Sequence, residues 1–145
     1  MIHVRVQEAP FDLGAEAAKL TGPDVGAVVT FSGLVRDVSD GLRHMEIEHY
    51  PAMTEAAITK MVEDALARWS VSHAVVIHRF GRVGPGDQIM MVATAARHRV
   101  DAFQAAEFLM DYLKSRAPFW KKEVTQDGAN WVEARDIDED ALKRW

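Results

Sequence analysis

Met110-Asp111-Tyr112-Leu113-Lys114-Ser115-Arg116-Ala117-Pro118-Phe119-Trp120-Lys121-Lys122-Glu123 decides how this chain is read. The stretch predicts the end of a helix, a stop forced at Pro118, and the start of a strand. Four cations, Lys114, Arg116, Lys121 and Lys122, fall within nine residues, interrupted by Phe119 and Trp120. A solvated charge run has no need of two large aromatics, and a core segment does not carry four cations. The mixture predicts a corner where an apolar wall meets a positive rim, suited to a flat or anionic ligand. Lys114 and Arg116 also suit the negative end of a helix dipole, so alone they require no ligand.

Upstream, Phe103, Ala106, Leu109, Met110 and Leu113 form the inward stripe of the helix that ends here. Asp101 is placed to cap it, with Gln104 three residues on as a box-like partner. Arg97-His98-Arg99 precedes it, a second cationic cluster. At 1.5 Å per residue the two clusters lie roughly 20 Å apart. One site can use both only if the chain folds one back or a second copy supplies it.

Working outward, Ile2–Val6 alternates as a half-buried strand, and Phe11-Asp12 opens a short helix reaching about Leu20. Gly26–Phe31 is a short β-branched apolar run and reads as a buried strand, with Gly33 marking a bulge or a close backbone approach. Arg36 follows at that strand's end, where a side chain reaches a pocket mouth. Asp37–Arg43 reads as a loop or hairpin tip, and His44–Tyr50 as a strand with one wet face. From Thr54, taken as an N-cap, the period becomes helical through Ile58, Met61, Val62, Ala65, Leu66 and Trp69. Ala74–Phe80 and Gln88–Ala95 are strands joined by the tight turn Gly84-Pro85-Gly86-Asp87. Phe119–Thr125 and Trp131–Arg135 are strands around Gln126–Asn130, and the acidic tail from Asp136 allows a last helical turn. The fold class is α+β: several antiparallel strands and two main helices in one domain, residues 1–145.

The chain has 145 residues, 48% of them apolar, enough for one real core. Its formal net charge is −5, which argues against general affinity for nucleic acid. The charge is uneven: Arg97–Lys122 holds six Lys/Arg and three Asp/Glu, a local +3 that leaves −8 elsewhere. A positive island in an acidic protein points to a small anionic ligand. The chain has no cysteine, so disulfides, thiolate metal sites, Cys nucleophiles and persulfide carriers are excluded. Sulfur chemistry would need another molecule to bring the sulfur. With no apolar signal segment or membrane-length run, a cytoplasmic protein is expected.

The six histidines form no metal-binding spacing, and no phosphate-binding glycine loop occurs, so neither a metal nor a resident cofactor is expected. His49 and His78 sit within strand patterns and read as packed or surface residues. Ser32 and Ser115 lack a His–Asp setting for nucleophilic catalysis. What remains is Arg36, Arg97-His98-Arg99 and Lys114–Lys122. Arg grips phosphate or carboxylate in a bidentate fork and keeps its proton. Lys gives its proton up when crowded by other cations or desolvated, which makes it a candidate for acid–base or covalent work.

The chain resembles the large, catalytic subunit of molybdopterin synthase. The resemblance rests on Glu48-His49-Tyr50-Pro51 with Met53-Thr54-Glu55, on Ile77-His78-Arg79 followed by Pro85-Gly86-Asp87, on His98-Arg99, on Met110–Glu123 and on Trp131-Val132-Glu133-Ala134-Arg135. These pieces cross nearly the whole chain in the family's order, and Met110–Glu123 is the most specific. The resemblance implies an α/β hammerhead-like fold with an added antiparallel sheet. It implies a sulfurtransferase of molybdenum cofactor biosynthesis that converts cyclic pyranopterin monophosphate to the dithiolene molybdopterin. Sulfur would come from the C-terminal thiocarboxylate of a small ubiquitin-like subunit. Two large subunits would form the homodimer core of a heterotetramer. Lys114 and Lys121 would be catalytic. The pterin would be bound by Leu34 (through its backbone), Val35, Arg36, His98, Arg99, Lys114, Lys121, Lys122, Glu123 and Arg135. The alternative is a non-catalytic homodimer that presents an anion-binding slot to a partner.

Overall fold

Two strands carry the core. Ala74–Arg79 and Ile89–Ala96 are buried almost without interruption, the pattern of strands covered on both faces. In the computed structural model, which describes residues 1–37, 41–132 and 136–145, they belong to β4 (Val71–Arg79) and β6 (Gln88–Ala96). Alternation sends Ala74, Val76, Met90 and Val92 toward one layer and Val75, Ile77, Met91, Ala93 and Ala95 toward the other.

The remaining elements are β1 (Ile2–Gln7), α1 (Leu13–Ala18), β2 (Ala27–Leu34), β3 (Leu42–His49), α2 (Met53–Arg68), β5 (Gly81–Val83), α3 (Arg99–Arg116), β7 (Phe119–Thr125), β8 (Gly128–Trp131) and α4 (Asp136–Ala141). A 3₁₀ turn, Leu142–Arg144, follows. The first sheet has the order β1-β4-β6-β2, with β1 parallel to β4 and the other pairs antiparallel. The second, β5-β3-β7-β8, is antiparallel throughout. The α+β class and the added antiparallel sheet expected from the sequence are both present. The register slips between Gly33 and Leu34, which bears out the bulge of the two readings that Gly33 allows, a bulge or a close backbone approach.

Helices α2 and α3 cover the larger core. Ala102, Ala105 and Ala106 let α3 lie close to the sheet, and Thr94 donates from its hydroxyl to the Ala102 carbonyl at 2.7 Å. The buried stripe of α3 also takes in Phe108, Leu109 and Leu113, whereas Phe103, expected to point inward, is 60% exposed. The stripe lies one residue back because alanines at 102 and 105 fit the close approach that a phenylalanine would prevent. Trp145 closes the chain over this region. It packs edge-on against Trp69 and Phe108, and its indole N–H donates to Asp111 at 2.6 Å.

Several boundaries differ from expectation. Thr54 is not the cap of α2: the helix begins a residue earlier, and the Thr54 hydroxyl donates back to the Tyr50 carbonyl at 2.7 Å. Asp101 does not cap α3, which starts at Arg99; Gln104 instead accepts from the Trp69 indole at 2.7 Å. Trp69 itself lies beyond α2 in extended backbone. The loop after Arg36 ends sooner than expected, because β3 begins at Leu42. Leu42 N–H is held there by the Asp37 carboxylate at 2.7 Å. Strand β5 was not anticipated: Gly81, at φ 85°, turns the chain out of the first sheet and three residues pair with β3 in the second. Strand β8 starts at Gly128 rather than Trp131, since Thr125 already pairs with Gly128.

Phe108 is 2% exposed and touches both Trp69 and Trp145. Phe108→Ala should therefore destabilise the chain by about 3–5 kcal/mol. Thermal unfolding should show a midpoint lowered by roughly 10 °C, with the baseline far-UV spectrum retained.

Candidate functional site

The residue before a proline avoids the helical region, and Ala117 obeys: it caps α3 with φ −76° and ψ 135°. Phe119 N–H then donates to the Ala117 carbonyl at 2.8 Å, closing a tight reversal into β7. The last turn of α3 and the first residues of β7 thus face one another. Between them and the end of the first sheet lies a cleft of about 440 Å³. Phe31, Ile89, Met90, Met110, Leu113, Phe119 and Trp120 make its apolar wall, and Lys114, Lys121, Ser115, His78 and Asp138 its polar groups. Trp120 is held edge-on against Tyr50, with ring centres 4.8 Å apart. The Ser115 hydroxyl is sealed from solvent without a hydrogen-bond partner among the described residues.

Strand alternation sorts the two lysines of β7. Lys121 pairs with the buried Ile47 and shares its face, so its stem is desolvated. Lys122 pairs with Glu46 on the opposite face, 3.0 Å from that carboxylate and 5.3 Å from the centre of the Trp131 ring. Its ammonium, with His44, holds the Glu46 carboxyl below the usual carboxylate range. Lys121 behaves differently. Burial, then the like charge of Lys114, pull its pKa down from 10.5 to about 8, and Asp138 opposes them. An amine poised there exchanges a proton near neutral pH, which an arginine does not.

A larger hollow of about 620 Å³ lies at the opposite end of α3, bordered by Asp24, Trp69, Ser70, Arg97, His98 and Asp101. It is shallow and open, and Arg97 is occupied by Asp24 at 2.7 Å. The chemistry is concentrated in the lysine cleft.

The family model of the MoaE protein matches residues 6–116. A molybdopterin synthase catalytic subunit from Cereibacter sphaeroides is 62% identical over 146 aligned residues, covering 99% of this chain and all of that one. The solved molybdopterin biosynthesis MoaE protein of Burkholderia ambifaria superposes with a TM-score of 0.87 at 52% identity, covering 100% of this chain and 98% of that one. A chain of the Staphylococcus aureus molybdopterin synthase structure gives 0.83 at 27% identity, covering 88% and 95%. The chain belongs to the MoaE family.

Its MoaE fold brings some of the expected site residues together and separates others. Leu34, Lys114 and Lys121 border the cleft. Val35 is buried beside it, its N–H and carbonyl tied to Asp87 and Gly86, while Arg36 is exposed at the end of β2. Glu123 shares the Lys121 face of β7 two residues on, opposite Met45, and Lys122 lies on the other face. His98 and Arg99 begin α3 and Lys114 lies in its last turn, so about 22 Å of helix, at 1.5 Å per residue, separates them. Arg135 lies outside the described residues. Arg116, one of the four cations of the opening stretch, is turned to Glu139 of α4.

Three polar cleft residues lie outside the set expected from the sequence: His78, Ser115 and Asp138. A histidine beside an arginine in an otherwise apolar strand is the one signal that could have marked His78, which the sequence reads as a packed or surface residue. Nothing local marks Asp138, which reaches the cleft only because α4 folds back onto the end of α3.

The native state releases the Lys121 proton near pH 8, whereas an ordinary lysine holds it to 10.5. Between these values the unfolded chain binds more protons, so this residue makes folding more favourable as pH rises through that window. NMR titration of the lysine side-chain signals should place the Lys121 midpoint near 8. Lys114→Ala should raise it and Asp138→Asn lower it, and Lys121→Met should abolish the pH-dependent gain in stability.

Proposed function

We propose that this chain is the sulfur-inserting subunit of a molybdopterin synthase. It acts on cyclic pyranopterin monophosphate with sulfur from the C-terminal thiocarboxylate of a small ubiquitin-like carrier. The observation that carries the reading is the convergence of Lys114 and Lys121 on an apolar cleft that depresses the Lys121 pKa to about 8. The aromatic wall suits a flat heterocycle, and the lysines suit the carboxylate or thiocarboxylate of an extended tail. In each transfer the thiocarboxylate sulfur forms a carbon–sulfur bond to the precursor as a carbon–oxygen bond at the same carbon breaks, the oxygen leaving as the freed end of the cyclic phosphate or as water. Water then cleaves the acyl–sulfur bond, and the carrier leaves as a carboxylate. Lys121, aided by Lys114, steadies the negative charge and exchanges the proton. A passive anion-binding scaffold has no use for a lysine desolvated to this degree.

His98 and Arg99 complete the site from a second copy. Helix α3 keeps them away from the lysines of their own chain, so the chain does not fold one cluster back. Strand β2 is an edge of its sheet and exposes Val28 and Phe31, and α3, which packs beside it, exposes Val100 and Phe103. Such a surface suits a second copy. It runs from His98-Arg99 to Phe31 at the cleft, so a two-fold pairing offers each cleft its neighbour's cations. Arg36, His98 and Arg99 then grip the phosphate.

Reconstitution with a thiocarboxylated carrier and the precursor tests the chemistry. Lys121→Ala should lower single-turnover conversion at saturating precursor by roughly 10²-fold or more, with fold and carrier binding intact. Lys121→Arg should rescue poorly, because arginine keeps charge but not an exchangeable proton. Near-normal turnover in both Lys114→Ala and Lys121→Ala would refute the assignment.

Subunit mixing tests the shared site. His98→Ala and Lys121→Ala proteins should each be weak alone. After exchange, each mixed dimer holds one intact site, so activity should reappear; mixtures as inactive as their components would rule out sharing.

A further inference from the structure

His78 sits in the floor of the cleft, on β4, 5% exposed. Its ring stacks on Phe119, with centres 3.8 Å apart and planes at 18°. Its Nδ1 is 2.7 Å from the Arg79 carbonyl. A carbonyl only accepts, so Nδ1 carries the hydrogen of a neutral ring and Nε2 presents a bare lone pair. The surroundings keep the ring neutral. Burial is the main cause, and Lys121 of β7, His49 of β3 and Lys114 of α3 add to it, holding its pKa near 3. Asp138 of α4 is the one carboxylate bordering the same cleft among the described residues.

Nε2 has no partner among the described residues, yet it is not one of their sealed, unpartnered atoms, as Ser115 Oγ in the same cleft is. The ring borders the cleft, so Nε2 is open to it. Phe119 covers one face of the ring and leaves the Nε2 edge free of a partner among the described residues. A histidine in this state is a poor base and a good hydrogen-bond acceptor. As ammonium groups both lysines beside it are donors only, which match phosphate or thiocarboxylate but not an N–H group.

We propose that His78 is a specificity-determining residue whose Nε2 accepts a hydrogen bond from an N–H of the pterin precursor, orienting the ring edge-on in the cleft. The inference rests on the synthase reading above and adds to it the group that reads the heterocycle. The lysines supply charge, Phe119 and Trp120 supply the wall, and His78 sets which edge of the flat ring enters first.

Two substitutions separate the two nitrogens. His78→Asn keeps an amide donor where Nδ1 meets the Arg79 carbonyl and removes the group that reaches the cleft. His78→Gln extends an amide oxygen to the Nε2 position and restores an acceptor. Trp120 fluorescence, read against a Trp120→Phe blank, reports precursor binding to the dimer with carrier bound. His78→Asn should weaken precursor binding about tenfold, the value of one well-formed hydrogen bond, and His78→Gln should recover most of it. Carrier affinity should be unchanged in both. The ratio of parent to His78→Asn affinity should stay flat from pH 5 to 8, because the ring is already neutral throughout. Precursor binding by His78→Asn equal to the parent's would overturn the inference and leave the synthase reading standing. A ratio that climbs as pH falls through 6.5 would also overturn it, since His78 would then act as a cation. A parent dimer that binds no precursor would overturn both readings.

Discussion

Two ammonium groups are brought together across a proline. The chain leaves α3 at Arg116, is held extended at Ala117 by Pro118, and enters β7 at Phe119. Lys114 and Lys121 then face the same cleft, and neither finds a carboxylate within ion-pairing distance among the described residues. Repulsion between them is tolerated because packing elsewhere fixes their backbones. α3 is anchored by its alanines and Phe108, and β7 by a seven-residue ladder with β3. The strain of like charges is thus confined to two side chains and appears as the depressed pKa of the more buried one.

The surrounding charges are arranged so as not to relieve that repulsion. Arg116 is paired with Glu139, Arg144 with Asp111 and Glu107, and Lys122 with Glu46. Each pair lies outside the cleft. These exposed pairs contribute little stability individually. Lys122–Glu46 joins β7 to β3, while the Arg116 and Arg144 pairs tie α4 and the C-terminal turn onto α3, which carries Asp138 to the cleft edge. Trp145 reinforces the tie through Asp111 and the Trp69–Phe108 cluster. Asp138, the one carboxylate among the described residues that tempers Lys121, is therefore positioned by contacts on the far side of the helix.

The sequence carried the helix–proline–strand reading, the bulge at Gly33 and the separation of the two cationic clusters, because each depends on local chemistry. Proline restricts its neighbour wherever it stands, and the length of a helix fixes the distance between its ends. What was not legible depends on contacts distant in sequence. Phe103 carries the same apolar signal as Leu109, and only the close approach of sheet to alanine decides which one is buried. Thr54 and Asp101 are good capping residues that stand two and three positions past the N-caps Ala52 and His98, because packing of the inward stripe sets the start of each helix. His78 looked like an ordinary strand residue because nothing in an apolar run reveals that Phe119, forty residues on, will cover its ring and leave one nitrogen facing a cleft. The direction of Lys122 followed from alternation once the pairing of Lys121 with Ile47 fixed the register.

The same depressed lysine pKa couples ligand charge to protonation. In the empty cleft, burial and Lys114 disfavour the Lys121 ammonium. An anion entering beside both lysines supplies the opposite charge that burial removed, so it raises the Lys121 pKa. An anion bound there near pH 8 would be accompanied by proton uptake, and its departure by proton release. A lysine of ordinary pKa would stay charged in both states and show no such coupling. An arginine would hold the anion as firmly and exchange nothing. The burial of Lys121 against Ile47, a packing feature of two adjacent strands, is what lets this positive corner also exchange a proton.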